Sequence, residues 1–172
     1  MTENQVKIII RSKLLELLAA NGLADYKVIE GNAPTKQGRE IKAIYYFPIS
    51  SQKIGWQGRK YQIENDVLVN EENQFYGLTI QMQGFAPPDA ETTSLDVTQI
   101  TRMLISSLSF VQHLAANGIG LQQPTDIRII YFDNDFEQFE PDPNFDFTVT
   151  YNRTITDIVP VITDTTYSIY RL

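Results

Sequence analysis

The chain has 172 residues, enough for one domain with a substantial core. At 42% hydrophobic and 20% charged residues, it falls outside the disordered and fibrous classes. A net charge of −7 argues against a nucleic-acid binder that works by neutralising phosphates, and zero cysteines rule out disulfides, thiolate zinc sites and cysteine nucleophiles.

No apolar run reaches the roughly 18 residues of a membrane span. The opening MTENQVKIII lacks the basic-then-apolar layout of a signal peptide, so the expected setting is cytosolic. Without secretion, the glycosylation acceptor pattern at Asn152-Arg153-Thr154 carries no weight. Charge is strongly polarised along the chain. Residues 36–60 hold six basic side chains against Glu40 alone, whereas residues 61–172 hold four Arg, no Lys and sixteen acidic residues.

In chain order, Val6, Ile9, Ile10, Leu14, Leu17 and Leu18 fall at helical spacing. Thr2 with Gln5 predicts a capping box, and Gly22 a C-terminal stop. Ile41–Phe47 and Phe75–Phe85 alternate and are rich in aromatic and β-branched residues, which predicts strands; Tyr26–Glu30 and Tyr61–Ile63 are weaker candidates. A second helix is expected over about 95–117, opened by the Thr93–Asp96 pair. Val97, Ile100, Met103, Leu104, Leu108, Val111 and Leu114 would form its apolar stripe.

Both predicted helices end in the same LAANG, at 18–22 and 114–118. Shared stop chemistry explains this better than a duplication, because the flanks do not align. Ile127–Phe132 reads as a strand, and so does Phe145–Tyr151. In the latter Phe145, Phe147, Val149 and Tyr151 share one face, while Asp146, Thr148 and Thr150 share the other. Val159–Ile162 and Tyr167–Tyr170 would add short edge pieces. The sum is a single α+β domain over 1–172: a mixed or antiparallel sheet with two main helices packed on it.

Little in the chain suggests catalysis. Asp133, Asp135 and Glu137 resemble the start of a calcium loop, yet Gln138 and Asn144 stand where such a loop needs Gly and Glu. A magnesium nuclease would want cationic surface that this half lacks. His113, the single histidine, has no recognisable partners, and no nucleophile elbow, Walker loop, GxGxxG or HExxH is present. The expectation is therefore no catalytic residue, no metal and no cofactor.

Two stretches point to assembly instead. SSQKIGWQGRK (50–60) sets the single Trp56 between two glycines, beside Lys53, Ile54, Arg59 and Lys60. It reads either as a hairpin tip with its Trp folded back, or as a projecting loop with an aromatic anchor and a basic rim. An acidic loop carrying Asp133, Asp135, Glu137, Glu140 and Asp142 would complement that rim. Basic against acidic, repeated head to tail, closes into rings when the rotation permits. The tail TDTTYSIYRL (163–172) alternates, and Tyr167 and Ile169 are costly to expose. It would act as an arm that pairs with its own sheet's edge or adds a strand to a neighbour.

The order of these elements, with NGIGLQQPTDIRIIYFD (117–133), FDFTVTYNRT (145–154) and ITDIVPVI (155–162), resembles the tail terminator (neck terminator) proteins of tailed bacteriophages. The resemblance implies an α+β subunit of a hexameric ring that sits on the last ring of the tail tube and stops its growth. The implied partners are further copies of the chain, the tube protein, the head-side connector and the tail sheath. DNA would pass through the channel without specific binding, and an acidic, Lys-free half suits such a channel. The place would be the head–tail junction of the virion, reached from the host cytoplasm. Another neck or baseplate protein, and a carboxylate-based enzyme, remain as rival readings.

Overall fold

A computed structural model describes residues 1–31, 40–65, 67–87, 91–133 and 139–160. Its elements are α1 (Glu3–Ala20), β1 (Lys27–Glu30), β2 (Ala43–Glu64), β3 (Val67–Phe85), α2 (Ser94–Ile105), α3 (Leu108–Ala116), β4 (Ile119–Leu121), β5 (Arg128–Asp133) and β6 (Phe139–Ile158). The strands form one sheet in the order β1-β2-β3-β6-β4, with β5 also on β6. β1 runs parallel to β2 and every other pair is antiparallel, so the sheet is mixed and the α+β domain is as expected.

The predicted caps are present. Thr2 and Gln5 form a capping box on α1, and Thr93 and Asp96 form one on α2. At the twin LAANG ends, the Asn21 amide donates to the Leu17 carbonyl at 2.7 Å and the Asn117 amide to the His113 carbonyl at 2.8 Å. Gly22 and Gly118 follow at φ +81° and +69°, in the left-handed region glycine adopts without strain. The two ends thus share one way of stopping a helix.

The long second helix of the sequence reading is instead two helices. Ser106 caps α2, and the Ser107 side chain accepts from the Phe110 amide at 3.3 Å to start α3. Serine hydroxyls compete for backbone hydrogen bonds and favour such caps over a helix interior. The break resets the helical phase. Met103 and Leu108 are left exposed, and Phe110, absent from the expected stripe, is fully buried.

The three helices lie on one face of the sheet. Val6, Ile10, Leu14 and Leu18 of α1 meet Val97 and Ile105 of α2, Phe110 and Leu114 of α3, and the sheet residues Ile44, Leu78, Ile80, Met82, Phe145, Phe147 and Val149. The Lys7 ammonium donates to Glu30 at 2.7 Å, pinning α1 against β1. That bond holds the Lys7 pKa above its ordinary value, against the opposing effect of burial. On the other face, cross-strand polar pairs such as Thr79–Thr148, at 3.0 Å, replace the apolar ones.

Candidate assembly interface

The helices cover only part of the sheet. β6 alone is 20 residues long, about 65 Å at the usual rise of a strand. At its C-terminal end, β2, β3 and β6 run beyond the helical layer as a three-stranded arm that closes at Asn65, φ 50°. At its N-terminal end, β6 pairs with β5 as a two-stranded arm, Arg128↔Asn144 to Asp133↔Phe139.

The stretch 50–60 is neither a loop nor a hairpin tip; it lies within β2 in the longer arm. The ladder shifts between Ile54 and Gly58, where Ile54 faces Phe75 and Gly58 faces Asn73. Two extra residues of β2 therefore bulge outward, helped by Gly55 at φ +69°. Trp56 rides on this bulge and is 97% exposed, so it does not fold back on the sheet. Beneath, the buried Gln74 amide donates to the Ile54 and Phe75 carbonyls at 2.7 and 2.9 Å, filling the gap left in the ladder. Lys53, Arg59 and Lys60 are all exposed on the same strand. Arg59 is spoken for within the chain, pairing with Glu72 opposite at 3.0 Å. Lys60 sits opposite Glu71 in the register.

The described residues of the acidic stretch lie in strands. Asp133 ends β5, and Glu140 and Asp142 lie on β6 opposite Phe132 and Ile130. Asp142 accepts from Gln83 at 3.0 Å, and Asp146 is bound to Arg128 at 2.6 Å, which fixes the root of the arm. Asp135, Glu137, Tyr167 and Ile169 lie outside the described residues, as do the side chains of Asp133 and Glu140 and the 163–172 arm. No cluster of three or more metal-ligating side chains occurs among the described residues.

Sequence reasoning missed most of the exposed apolar surface. On the long arm Ile54, Tyr61, Ile63, Phe75, Ile155 and Ile158 join Trp56 in solvent; on the short arm Ile129, Ile130 and Tyr131 do. Uncovered apolar surface on this scale marks a contact site. The run IRIIYF was a signal for it, but a continuous apolar strand reads equally well as a buried one.

The strand edges are open as well. β1 covers β2 only along 43–46, and β4, with the chain leading on to β5, covers the outer edge of β6 only as far as Tyr151. Beyond those points no strand lies beside either edge among the described residues.

Among solved structures, the sheath/tube terminator of an extracellular contractile injection system (PVC, extended state) aligns over 100% of this chain and 65% of its own length, at 13% identity and a TM-score of 0.48. The chain thus spans about two thirds of the length of that protein. No curated protein matches. The family model described as E217 gateway protein gp29 matches residues 5–161. The chain belongs to the E217 gateway protein gp29 family.

Proposed function

We propose that this protein assembles as a closed, hexameric ring of identical subunits on the head-side end of the phage tail tube, ends the growth of the tube and joins it to the neck. Family membership carries the reading. The shape of the subunit supports it: two apolar arms leave opposite ends of one sheet, and their apolar side chains are exposed among the described residues. Surfaces that differ and point apart suit head-to-tail contacts, which generate rings. The protein is then no enzyme; it needs no metal or cofactor, and it works through surfaces alone.

Its partners in this reading are further copies of itself, the tube protein, the head-side connector and the tail sheath. DNA passes through the ring without specific binding, since an excess of carboxylates offers phosphates no foothold. The protein is made in the host cytoplasm and ends in the virion at the head–tail junction. The 163–172 arm, with Tyr167 and Ile169, finds cover on a strand edge of its own sheet or of a neighbour.

Electron microscopy of tails assembled with and without the protein tests this reading. With it, tubes should end uniformly in a capping ring. Without it, they should grow to irregular lengths. Tubes of normal, uniform length in its absence would contradict the proposal.

A further inference from the structure

The ring reading leaves open which surfaces meet, and the sheet itself narrows the choice. Among the described residues, two of its strands keep an unpaired outer edge beside exposed apolar side chains. One is β2 beyond residue 47, with Ile54, Trp56, Tyr61 and Ile63. The other is β5, with Ile129, Ile130 and Tyr131. These edges occupy diagonally opposite corners. β2 lies on the β3 side of the sheet and is open at the end where β6 finishes, whereas β5 lies on the far side of β6, at the end where β6 starts. About 65 Å of sheet separates the two ends, so the corners cannot meet within one chain.

The corners are also complementary in chemistry. From 47 to 63, β2 carries Lys53, Arg59 and Lys60 and no acidic residue. The described part of the short arm carries Asp133, Glu140 and Asp142, and its one base, Arg128, is engaged by Asp146. Lys53 and Lys60 have no partner among the described residues. Among the described residues, both corners present backbone donors and acceptors without a strand partner, which an added strand satisfies.

We infer that the β2 edge of one copy and the β5 edge of the next lie side by side and continue the sheet from subunit to subunit. The contact rests on the ring reading and specifies it. Apolar side chains of the two corners cover one another, main-chain bonds fix the register, and the basic edge of one copy lies against the acidic edge of the next. Because the corners are diagonal, each step shifts the sheet along its strands. Closure then needs strands tilted to the ring axis, as in any sheet closed with a shear. The Trp56 bulge breaks the flat edge of β2, which confines strand addition to the straight segment on either side of it and guards against open-ended stacking.

The chain has no cysteine, so introduced thiols report cleanly. Tyr61 and Ile130 are both exposed, and replacing them leaves the core untouched. In the ring, the double variant Tyr61→Cys/Ile130→Cys, treated with a flexible bis-maleimide, should give a ladder of covalent multiples up to the complete ring. Each single variant should stay monomeric on a denaturing gel. Lys53→Cys/Tyr131→Cys serves as a second pair should the first fold poorly. A wild-type ring whose double variants give no ladder overturns the corner contact and leaves the ring reading standing. Dimers formed by Tyr61→Cys alone overturn it too, by showing like edges in contact. A wild-type chain that stays monomeric at every concentration overturns the ring reading, and this inference with it.

Discussion

The same three strands, β2, β3 and β6, behave differently in their two halves. Where the helices cover them, Leu78, Ile80, Met82, Phe145, Phe147 and Val149 are buried at alternate positions. Past the helices, Trp56, Ile63, Phe75, Ile155 and Ile158 stand in solvent on both faces. The covered half is held by burial, worth roughly 1.5–3 kcal/mol per large apolar side chain. The arm is held by its ladder, by the Arg59–Glu72 pair and by the Gln74 bridges. An exposed pair such as Arg59–Glu72 contributes about 0.2–1 kcal/mol. In the ring reading, an arm built so thinly, yet so rich in apolar residues, is finished by what docks on it.

Substitutions should separate the two halves sharply. Phe147→Ala, in the covered half, should cost about 3–5 kcal/mol in chemical denaturation, since Phe147 is 1% exposed. A loss below about 1 kcal/mol would mean that the core is not where the comparison puts it. In the arm, Gln74→Ala removes both bridges under the bulge and should cost about 1–3 kcal/mol. Hydrogen exchange should speed up around 52–60 while the helices stay protected; uniform loosening would show that the arm and the core unfold as one unit.

A smaller effect is expected at the helix break. Ser107→Ala deletes the α3 cap and should cost about 1 kcal/mol, read as a lowered melting temperature. Acid should loosen the start of α2. The Thr93 hydroxyl and amide hold the Asp96 carboxyl below its ordinary pKa of 3.8. A lowered folded pKa means stability that is present above the unfolded value and lost as pH falls through the folded one. Amide protection at the start of α2 should therefore be flat down to about pH 5 and fall below pH 4. Protection that fades already above pH 5 would point to another group. Smallest of all, Trp56→Ala should change the stability of the monomer by no more than about 0.5 kcal/mol, while weakening its assembly.

Much of the covered half could be read in the sequence. The Thr2–Gln5 and Thr93–Asp96 boxes, the two Asn-Gly stops and the alternation of 145–151 are local signals, and local chemistry settles them. The arm left no such trace. Residues 50–64 form a strand because β3 pairs with them, and with both faces wet they show no alternation of apolar and polar residues. Polar, Gly-containing SSQKIGWQGRK therefore looks like a loop. The Ser106–Ser107 break was visible as a dipeptide but hidden by the apolar residues around it. Of the candidate contact residues, Lys53, Ile54, Trp56, Arg59 and Lys60 fall on one exposed strand. That Arg59 is neutralised by Glu72 across the ladder depends on register, which composition cannot supply.

The central claim is that the uncovered arms exist to be covered by other copies of the same chain. Native mass spectrometry of the purified protein over a range of concentrations measures this most directly. The account predicts one discrete closed oligomer, a hexamer, with no open-ended series and with loss of the oligomer in Trp56→Ala. A monomer at every concentration, or an unlimited ladder of sizes, would contradict it.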